Sequence, residues 1–169
     1  MKNTGFLNHV LSIILFPGIV AGIIPYYLDE YLPEPEIYDD HIALKIGGIV
    51  FMSFGLIMLI WTVFLFDRKG KGTLAPWSPP RRLVIAGPYK YVRNPMIIGV
   101  ISILIGEALY LNSIPILIWS MVFFVINTVY FELIEERKLE RKFGDSYVRY
   151  KNSVSRWLPS TKPYISDIK

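Results

Sequence analysis

Four long apolar stretches constrain this chain more than any other feature of its sequence. They cover about residues 5–28, 42–66, 96–111 and 115–134. A helix needs roughly 20 predominantly apolar residues to cross the hydrocarbon core of a bilayer, and the first, second and fourth stretches reach that length. Since 53% of the residues are hydrophobic and the charges are confined to a few blocks, we expect an all-α integral membrane protein. About four transmembrane helices would form a single membrane domain over residues 1–169.

The third and fourth stretches are separated only by Asn112 and Ser113. So short a connection predicts a tight helical hairpin. In such a hairpin the two helix ends away from the turn lie side by side, so polar groups at those ends become neighbours.

The distribution of charge predicts the orientation. Residues 29–41 contain six acids and no Lys or Arg, whereas residues 67–95 contain seven Lys or Arg and one acid. Lys and Arg are retained on the cytoplasmic side of a membrane. We therefore expect both termini and the 67–95 loop in the cytosol, the 29–41 loop outside, and the protein in the cytoplasmic (inner) membrane.

Composition excludes several kinds of site. The chain has no Cys, which rules out disulfides, thiolate nucleophiles and Cys-based metal sites. His9 and His41 are its two His and lie toward opposite ends of the first apolar stretch, so no protein-held metal is expected. The net charge of +4 fits the topology and contact with lipid headgroups. No aromatic–basic pattern indicates nucleic-acid binding, and membrane lipids are the expected partners.

A first polar cluster, residues 89–99, enters the third apolar stretch. Arg93, Asn94 and Pro95 stand at its start, where Asn is suited to capping a helix and Pro to its first turn. The unpaired N–H groups of a helix start, with Arg93 beside them, favour an anion such as a carboxylate. Alternatively, Asn94 is only a cap and Arg93 only a headgroup contact.

A second polar cluster follows the fourth apolar stretch. Glu132, Glu135 and Glu136 are spaced by three and four residues and therefore lie along one helix face. One interpretation is an exposed helix in which neighbouring cations neutralise these acids, namely Arg137, Lys138, Arg141 and Lys142. The other is that the Glu pair receives a cationic ligand in a water-poor cleft, where charge pairing is stronger.

The hairpin would make the two clusters neighbours. An anion site beside a cation site suits a zwitterionic amino acid with an additional positive centre. S-adenosylmethionine is such a ligand, with its carboxylate at Arg93 and its ammonium, sulfonium or ribose at Glu135 and Glu136.

The ordered motifs between about residues 70 and 160 resemble those of the integral-membrane methyltransferases that include isoprenylcysteine carboxyl methyltransferase and the phospholipid N-methyltransferases. That pattern is G-P-Y-x-x-x-R-[HN]-P-x-Y-x-G, a hydrophobic hairpin, E-E-x-x-L, F-G-x-x-Y-x-x-Y and R-W-x-P. This chain supplies Gly87-Pro88-Tyr89, Arg93-Asn94-Pro95, Gly99, Glu135-Glu136, Leu139, Phe143-Gly144, Tyr147, Tyr150 and Arg156-Trp157-Leu158-Pro159. It departs at Asn94, where many relatives have His, and at Ile97, where the pattern has Tyr.

The resemblance implies a helical membrane enzyme that binds S-adenosylmethionine at the cytosolic ends of its last two spans. A C-terminal cytosolic cap would cover the cofactor, and a lipophilic acceptor would approach from the bilayer. The cofactor-binding residues it implies are Tyr89, Arg93, Asn94, Pro95, Gly99, Glu135 and Glu136.

Methyl transfer from a sulfonium is a direct displacement that is accelerated by alignment and exclusion of water, without a protein nucleophile. We expect Glu135, Glu136 and Arg141 to be the catalytic residues. Arg141 would position a carboxylate acceptor while a Glu orders its surroundings, or one Glu would take the proton from an amine or alcohol. The alternatives are a phospholipid N-methyltransferase and a four-span membrane protein without catalysis.

Overall fold

The computed structural model describes residues 17–32, 41–65, 68 and 83–165, and every regular element in that part of the chain is helical. We number the α-helices in chain order. They are α1 (Ile24–Tyr31), α2 (Ile42–Leu65), α3 (Pro95–Leu111), α4 (Ile114–Tyr130), α5 (Glu136–Phe143) and α6 (Asp145–Ser153). A π-helical turn at Ile19–Ile23 precedes α1, and a second at Phe131–Glu135 joins α4 to α5. A 3-10 turn covers Gly87–Lys90.

Two helices are long and apolar enough to cross a membrane. They are α2 and the continuous helix Ile114–Phe143, which runs through α4 and α5. The third predicted stretch forms α3, a shorter apolar helix. Of the first predicted stretch, residues 5–16 lie outside the described residues, as do residues 69–82 of the central loop. The all-helical fold is therefore confirmed for the described residues, and its two long apolar helices are consistent with a membrane protein. A total of four spans and a cytosolic cap stay predictions.

The predicted hairpin joins α3 to α4. Asn112 adopts the left-handed conformation with φ of 56°, which Asn tolerates better than most residues. The Ser113 N–H donates to the Ala108 carbonyl at 2.8 Å and closes the last turn of α3. The two helices consequently run antiparallel, with Arg93 and the α4–α5 junction at the same end.

Glycines bring α2 and α3 into close contact. A Cβ on Gly48 would lie 2.6 Å from the Gly106 carbonyl oxygen, and one on Gly55 would lie 2.5 Å from that of Gly99. The two glycines of each helix are seven residues apart, so they share one face. Only residues without a side chain allow these backbones to approach so closely, as is common between helices in membranes.

The first π-helical turn is tied to α4 by a hydrogen bond. The Ile24 N–H donates to the Ile19 carbonyl, five residues back, and Pro25 has no N–H to offer Val20. The Trp119 Nε1 on α4 donates to the Val20 carbonyl at 3.0 Å. An indole from a neighbouring helix thus satisfies a buried backbone oxygen that the kinked helix leaves unpaired, as buried polar groups normally require.

Two buried clusters stabilise the described part of the chain. The first joins the apolar helices and comprises Val20, Leu59, Ile97, Val100, Leu104 and Phe123. The second lies beyond them and comprises Tyr147, Tyr150 and Val154, against which Leu83, Ile85, Leu139, Phe143 and Tyr164 pack. The second cluster holds α5, α6 and the C-terminal segment against the chain that leads into α3.

Candidate functional site

The segment before α3 is held by a buried tyrosine pair. Gly87 has φ of 54°, a conformation that favours glycine, and starts the 3-10 turn that buries Tyr89. The Tyr150 hydroxyl of α6 donates to the Tyr89 carbonyl at 2.6 Å. Tyr89, a predicted cofactor residue, is thereby fixed in the fold beside the helix start.

Arg93, Asn94 and Pro95 form the start of α3, as their types predict. Asn94 occupies the N-cap position and Pro95 the first turn, but the Asn94 side chain makes no capping hydrogen bond. The Asn94 carbonyl accepts from the Ile98 N–H at 3.2 Å. The first-turn N–H groups are therefore not used by that side chain, and the positive end of the helix dipole keeps its capacity for an anion.

Glu136 is the most engaged carboxylate of the described residues. Its Oε1 accepts from Arg93 Nη1 and from Arg156 Nε, both at 2.8 Å, and its Oε2 lies 3.0 Å from Lys151 Nζ. The Glu136 side chain is 4% exposed and that of Arg93 11%. Burial of this carboxylate requires such pairing, because an isolated buried charge is strongly destabilising.

The π-helical turn Phe131–Glu135 sets the directions of the three acids. The Glu136 N–H donates to the Phe131 carbonyl, five residues back, so the turn holds one residue more than an α-helical turn. Glu136 is turned inward, whereas the side chain of Glu132 is 64% exposed and reaches Arg156 Nη1 at 3.1 Å. Glu135 accepts a long hydrogen bond of 3.4 Å from the Tyr130 hydroxyl.

The C-terminal segment runs beside the residues that lead into α3. The Arg93 N–H donates to the Ser155 carbonyl at 3.0 Å, and the Tyr91 carbonyl accepts from the Ser160 N–H at 2.8 Å. Between these contacts, Trp157 packs on Phe124 and Phe131 with ring centroids 5.0 and 6.3 Å away. The segment therefore delivers Arg156 and Trp157 to the junction of α3, α4 and α5.

The charges around Glu136 set the protonation of its neighbours. Hydrogen bonds to Glu140 and then to Glu136 raise the pKa of Lys151, so this ammonium stays charged at neutral pH. Burial, followed by the charge of Glu136, raises the pKa of the Tyr147 phenol, while Arg93 acts in the opposite direction. Tyr147 is therefore a neutral phenol at neutral pH, beside the ion pair.

Two buried donors at the junction lack an acceptor. Arg93 Nε and Trp157 Nε1 are both buried, and neither has a hydrogen-bond partner in the part of the chain that the structure describes. An unsatisfied buried donor costs about 1–3 kcal/mol, and buried polar groups normally find a partner in protein, water or ligand. Oxygen acceptors of a small molecule, such as a carboxylate or a hydroxyl, would fit these donors.

The other predicted site residues lie elsewhere. Gly99 lies buried in the contact between α3 and α2, where a Cβ would meet the Gly55 carbonyl oxygen at 2.9 Å, so helix packing alone explains a glycine there. Arg141 is exposed on α5, five residues after Glu136 and hence on a different face. The structure does not bring Arg141 to the Arg93–Glu136 pair.

Sequence reasoning missed two contributors to the site. No sequence motif assigns a role to Lys151, and Arg156 belongs to the closing R-W-x-P motif without an indicated partner. Both follow Glu136 by 15 residues or more and reach it through tertiary folding. Their signal was an excess of basic residues in a tail that also carried conspicuous aromatic residues.

Comparison with known proteins adds independent findings. A family model described as "Phospholipid methyltransferase" matches residues 44–146, a range that includes both Arg93 and Glu136. An uncharacterized protein from Haemophilus influenzae is 35% identical over 63 residues, which make up 37% of this chain and 100% of that relative. Among solved structures there is no match.

Proposed function

Since this chain belongs to the phospholipid methyltransferase family, we propose that it transfers a methyl group from S-adenosylmethionine to a lipid-like acceptor where α3, α5 and the C-terminal segment meet. The observation that carries this placement is the contact between Arg93 Nη1 and Glu136 Oε1 at 2.8 Å. It joins the two polar motifs of the chain at one buried point, although they are separated by a complete helical hairpin.

Arg93 would bind the carboxylate of the methyl donor. Its Nη1 is engaged by Glu136, whereas its buried Nε has no partner among the described residues. The start of α3 at Asn94 and Pro95 lies next to it, with N–H groups that favour an anion. A carboxylate placed here would complete the hydrogen bonding of Arg93 and gain from the helix dipole.

Glu135 and Glu136 would have different roles. The Glu136 carboxylate already meets Arg93, Arg156 and Lys151, which suits a positioning residue that orients Arg93. Among the described residues, Glu135 has only the 3.4 Å contact with the Tyr130 hydroxyl, a weak hydrogen bond. Glu135 therefore retains the capacity to accept from an ammonium or a ribose hydroxyl, or to take a proton from an amine acceptor.

When bound, S-adenosylmethionine supplies an electrophilic methyl group on its sulfonium. The residues around Arg93 then have to align donor and acceptor and exclude water. The side chains of Tyr147 on α6 and Trp157 on the C-terminal segment would serve this purpose. Arg141, exposed on α5, would approach an anionic group of the acceptor from the membrane boundary. The family description favours a phospholipid as acceptor, and other lipophilic carboxylates, amines or alcohols remain within the same chemistry.

We further propose that four helices cross the cytoplasmic membrane, with the Arg93–Glu136 pair at the cytosolic face under a cap formed by α5, α6 and the C-terminal segment. The charge distribution supports this orientation, because the basic 67–95 region precedes α3 and the acidic 29–41 region precedes α2. Cysteine labelling of single-Cys variants from each side of sealed vesicles tests it.

Ligand binding provides the direct test of the site. Calorimetry with S-adenosylhomocysteine on the full chain in detergent should show binding that is lost in Arg93→Ala and weakened in Glu135→Gln. Arg149→Gln and Glu140→Gln are the matched controls, since Arg149 is exposed on α6 and Glu140 pairs with Lys151 at 2.7 Å. Unchanged affinity in both site variants would refute the proposed placement.

Incubating the protein with methyl-labelled donor and membrane lipids would identify the acceptor. A base-labile labelled product would be a methyl ester, whereas a base-stable product would be a methylamine. Labelled lipid produced by Arg93→Ala at the wild-type rate would contradict the proposed role of Arg93.

A further inference from the structure

Helix α5 separates its charges onto two faces. Its acids share the face toward the rest of the protein, where the buried Glu136 meets Arg93 and Arg156, and the partly exposed Glu140 meets Lys151 at 2.7 Å. Two of its four cations, Arg137 and Lys138, are exposed, and neither forms an ion pair within the described ranges. The acids are thus neutralised by cations from other elements, which leaves these two positive charges of α5 without a protein partner there.

The length of the helix places these two cations at headgroup depth. The continuous helix Ile114–Phe143 has 30 residues, or about 45 Å at 1.5 Å per residue. A hydrocarbon core of about 30 Å takes roughly the first 20 residues, and the headgroup layer extends some 5–8 Å further. Leu133 and Ile134 are 51% and 43% exposed, which fits an apolar boundary at that point. Arg137 and Lys138 then lie roughly 6–8 Å beyond it.

We infer that Arg137 and Lys138 bind the anionic headgroup of a phospholipid in the leaflet next to the Arg93–Glu136 pair. Two arguments indicate this occupant. The headgroup of an anionic phospholipid carries a net negative charge that complements two unpaired cations, and it lies at the same depth as Arg137 and Lys138. The inference depends on the helix Ile114–Phe143 crossing the bilayer and is independent of methyl transfer.

The two faces of α5 couple lipid charge to the site. Glu136 and Arg137 are consecutive residues, so a headgroup that holds the outer face also restrains the inner face. An anionic bilayer should therefore stabilise the fold of α5 around Arg93, whereas a zwitterionic bilayer should leave Arg137 and Lys138 repelling each other.

Thermal unfolding of the full chain in detergent micelles tests the inference, because a ligand of the folded state raises the Tm. Short-chain phosphatidylglycerol and phosphatidylcholine are titrated in parallel, with no methyl donor present. We expect the wild type to bind phosphatidylglycerol more tightly than phosphatidylcholine. In Arg137→Gln/Lys138→Gln the ratio of the two affinities should fall by about fivefold for each cation removed. Arg149→Gln, which removes an exposed cation of α6, should keep the full preference.

Each remaining outcome would overturn the inference. A wild type without preference for phosphatidylglycerol, or a double variant that retains it, would show that these cations do not select lipid charge. Equal stabilisation by inorganic phosphate at the same concentration would identify free phosphate as the ligand. Since Arg93 and Glu135 are unchanged in the double variant, S-adenosylhomocysteine binding can be measured on it separately, and a failure of one proposal leaves the other standing.

Discussion

Replacing Glu136 by Leu removes the one carboxylate that holds Arg93, Arg156 and Lys151 together. The largest share of the lost stability comes from Arg93, whose side chain is 11% exposed and pairs with Glu136 at 2.8 Å. Breaking a buried ion pair by removing one partner costs about 3–5 kcal/mol. Arg156 and Lys151 keep Glu132 and Glu140 as partners, so we expect a value near the lower limit, about 3 kcal/mol.

A double-mutant cycle isolates the Arg93–Glu136 interaction from the rest of this loss. In Arg93→Met/Glu136→Leu neither charge is left buried alone, so the double variant should be more stable than the sum of the single effects predicts. The coupling free energy should be about 2 kcal/mol, within the range for contacting residues. Unfolding by added dodecyl sulfate in detergent micelles, followed by tryptophan fluorescence, provides the four free energies.

The matched control is the cycle of Lys151→Met and Glu140→Leu. That pair is as close, at 2.7 Å, but both side chains are about one-third exposed, at 35% and 36%. Solvent screening should reduce its coupling to below about 1 kcal/mol. If the Arg93–Glu136 coupling is no larger than this control, the buried pair does not organise the site and the reasoning fails.

Three further substitutions test the fold around the site. Gly55→Ala places a Cβ 2.5 Å from the Gly99 carbonyl oxygen, so the two helices must separate and the free energy of unfolding should fall by about 1–3 kcal/mol. Trp119→Phe removes the 3.0 Å bond to the Val20 carbonyl and should cost about 0.6–1.7 kcal/mol in the same assay. Tyr150→Phe removes the 2.6 Å bond to a backbone carbonyl and should cost about 1 kcal/mol at neutral pH. Burial raises the pKa of Tyr150 above its ordinary value, so the folded state retains the proton and wild-type stability declines above about pH 10. The difference in the free energy of unfolding between wild type and Tyr150→Phe should therefore become smaller at alkaline pH.

Each of these predictions has a control within the chain. Gly47→Ala meets nothing within 4 Å and should not destabilise, so an equal loss at both glycines would contradict the close-contact argument. Pro25→Ala restores an N–H that can serve the Val20 carbonyl, and Trp119→Phe should cost less on that background. If the stability difference between wild type and Tyr150→Phe becomes larger above pH 10, Tyr150 ionises more easily in the folded state than in the unfolded chain.

The boundaries of α2 and α3 were predictable because each is marked by strong local chemistry, whereas the helix of the fourth stretch, predicted at 115–134, continues to Phe143. The second stretch, predicted at 42–66, forms α2 over Ile42–Leu65, and the third, predicted at 96–111, forms α3 over Pro95–Leu111. Long apolar runs bounded by charges, by Pro95 or by the Asn112 turn leave little freedom for the ends. The proximity of Arg93 to the Glu residues was also expected, because a hairpin with a two-residue turn brings its open ends together.

The partners of Glu136 could not be predicted. One expectation was neutralisation by Arg137, Lys138, Arg141 and Lys142 of the same helix, but the structure pairs Glu136 with Arg93, Lys151 and Arg156. Contacts over 15 to 43 residues leave no periodic pattern in a sequence. The π-helical turn that directs Glu136 inward likewise lacks a residue signature, and it decides which of two adjacent acids is buried.

The backbone hydrogen bond from Arg93 to Ser155 has a consequence for biosynthesis. Domains form from the N-terminus as synthesis proceeds, so α2, α3 and α4 can form while Arg93 is still without its later contacts. A nascent chain that stops short of residue 155 would contain these helices but would lack the Ser155 carbonyl that accepts from the Arg93 N–H. Proteases could then distinguish finished from unfinished copies by the accessibility of the backbone at Arg93. A limited-proteolysis time course on stalled chains would reveal this difference.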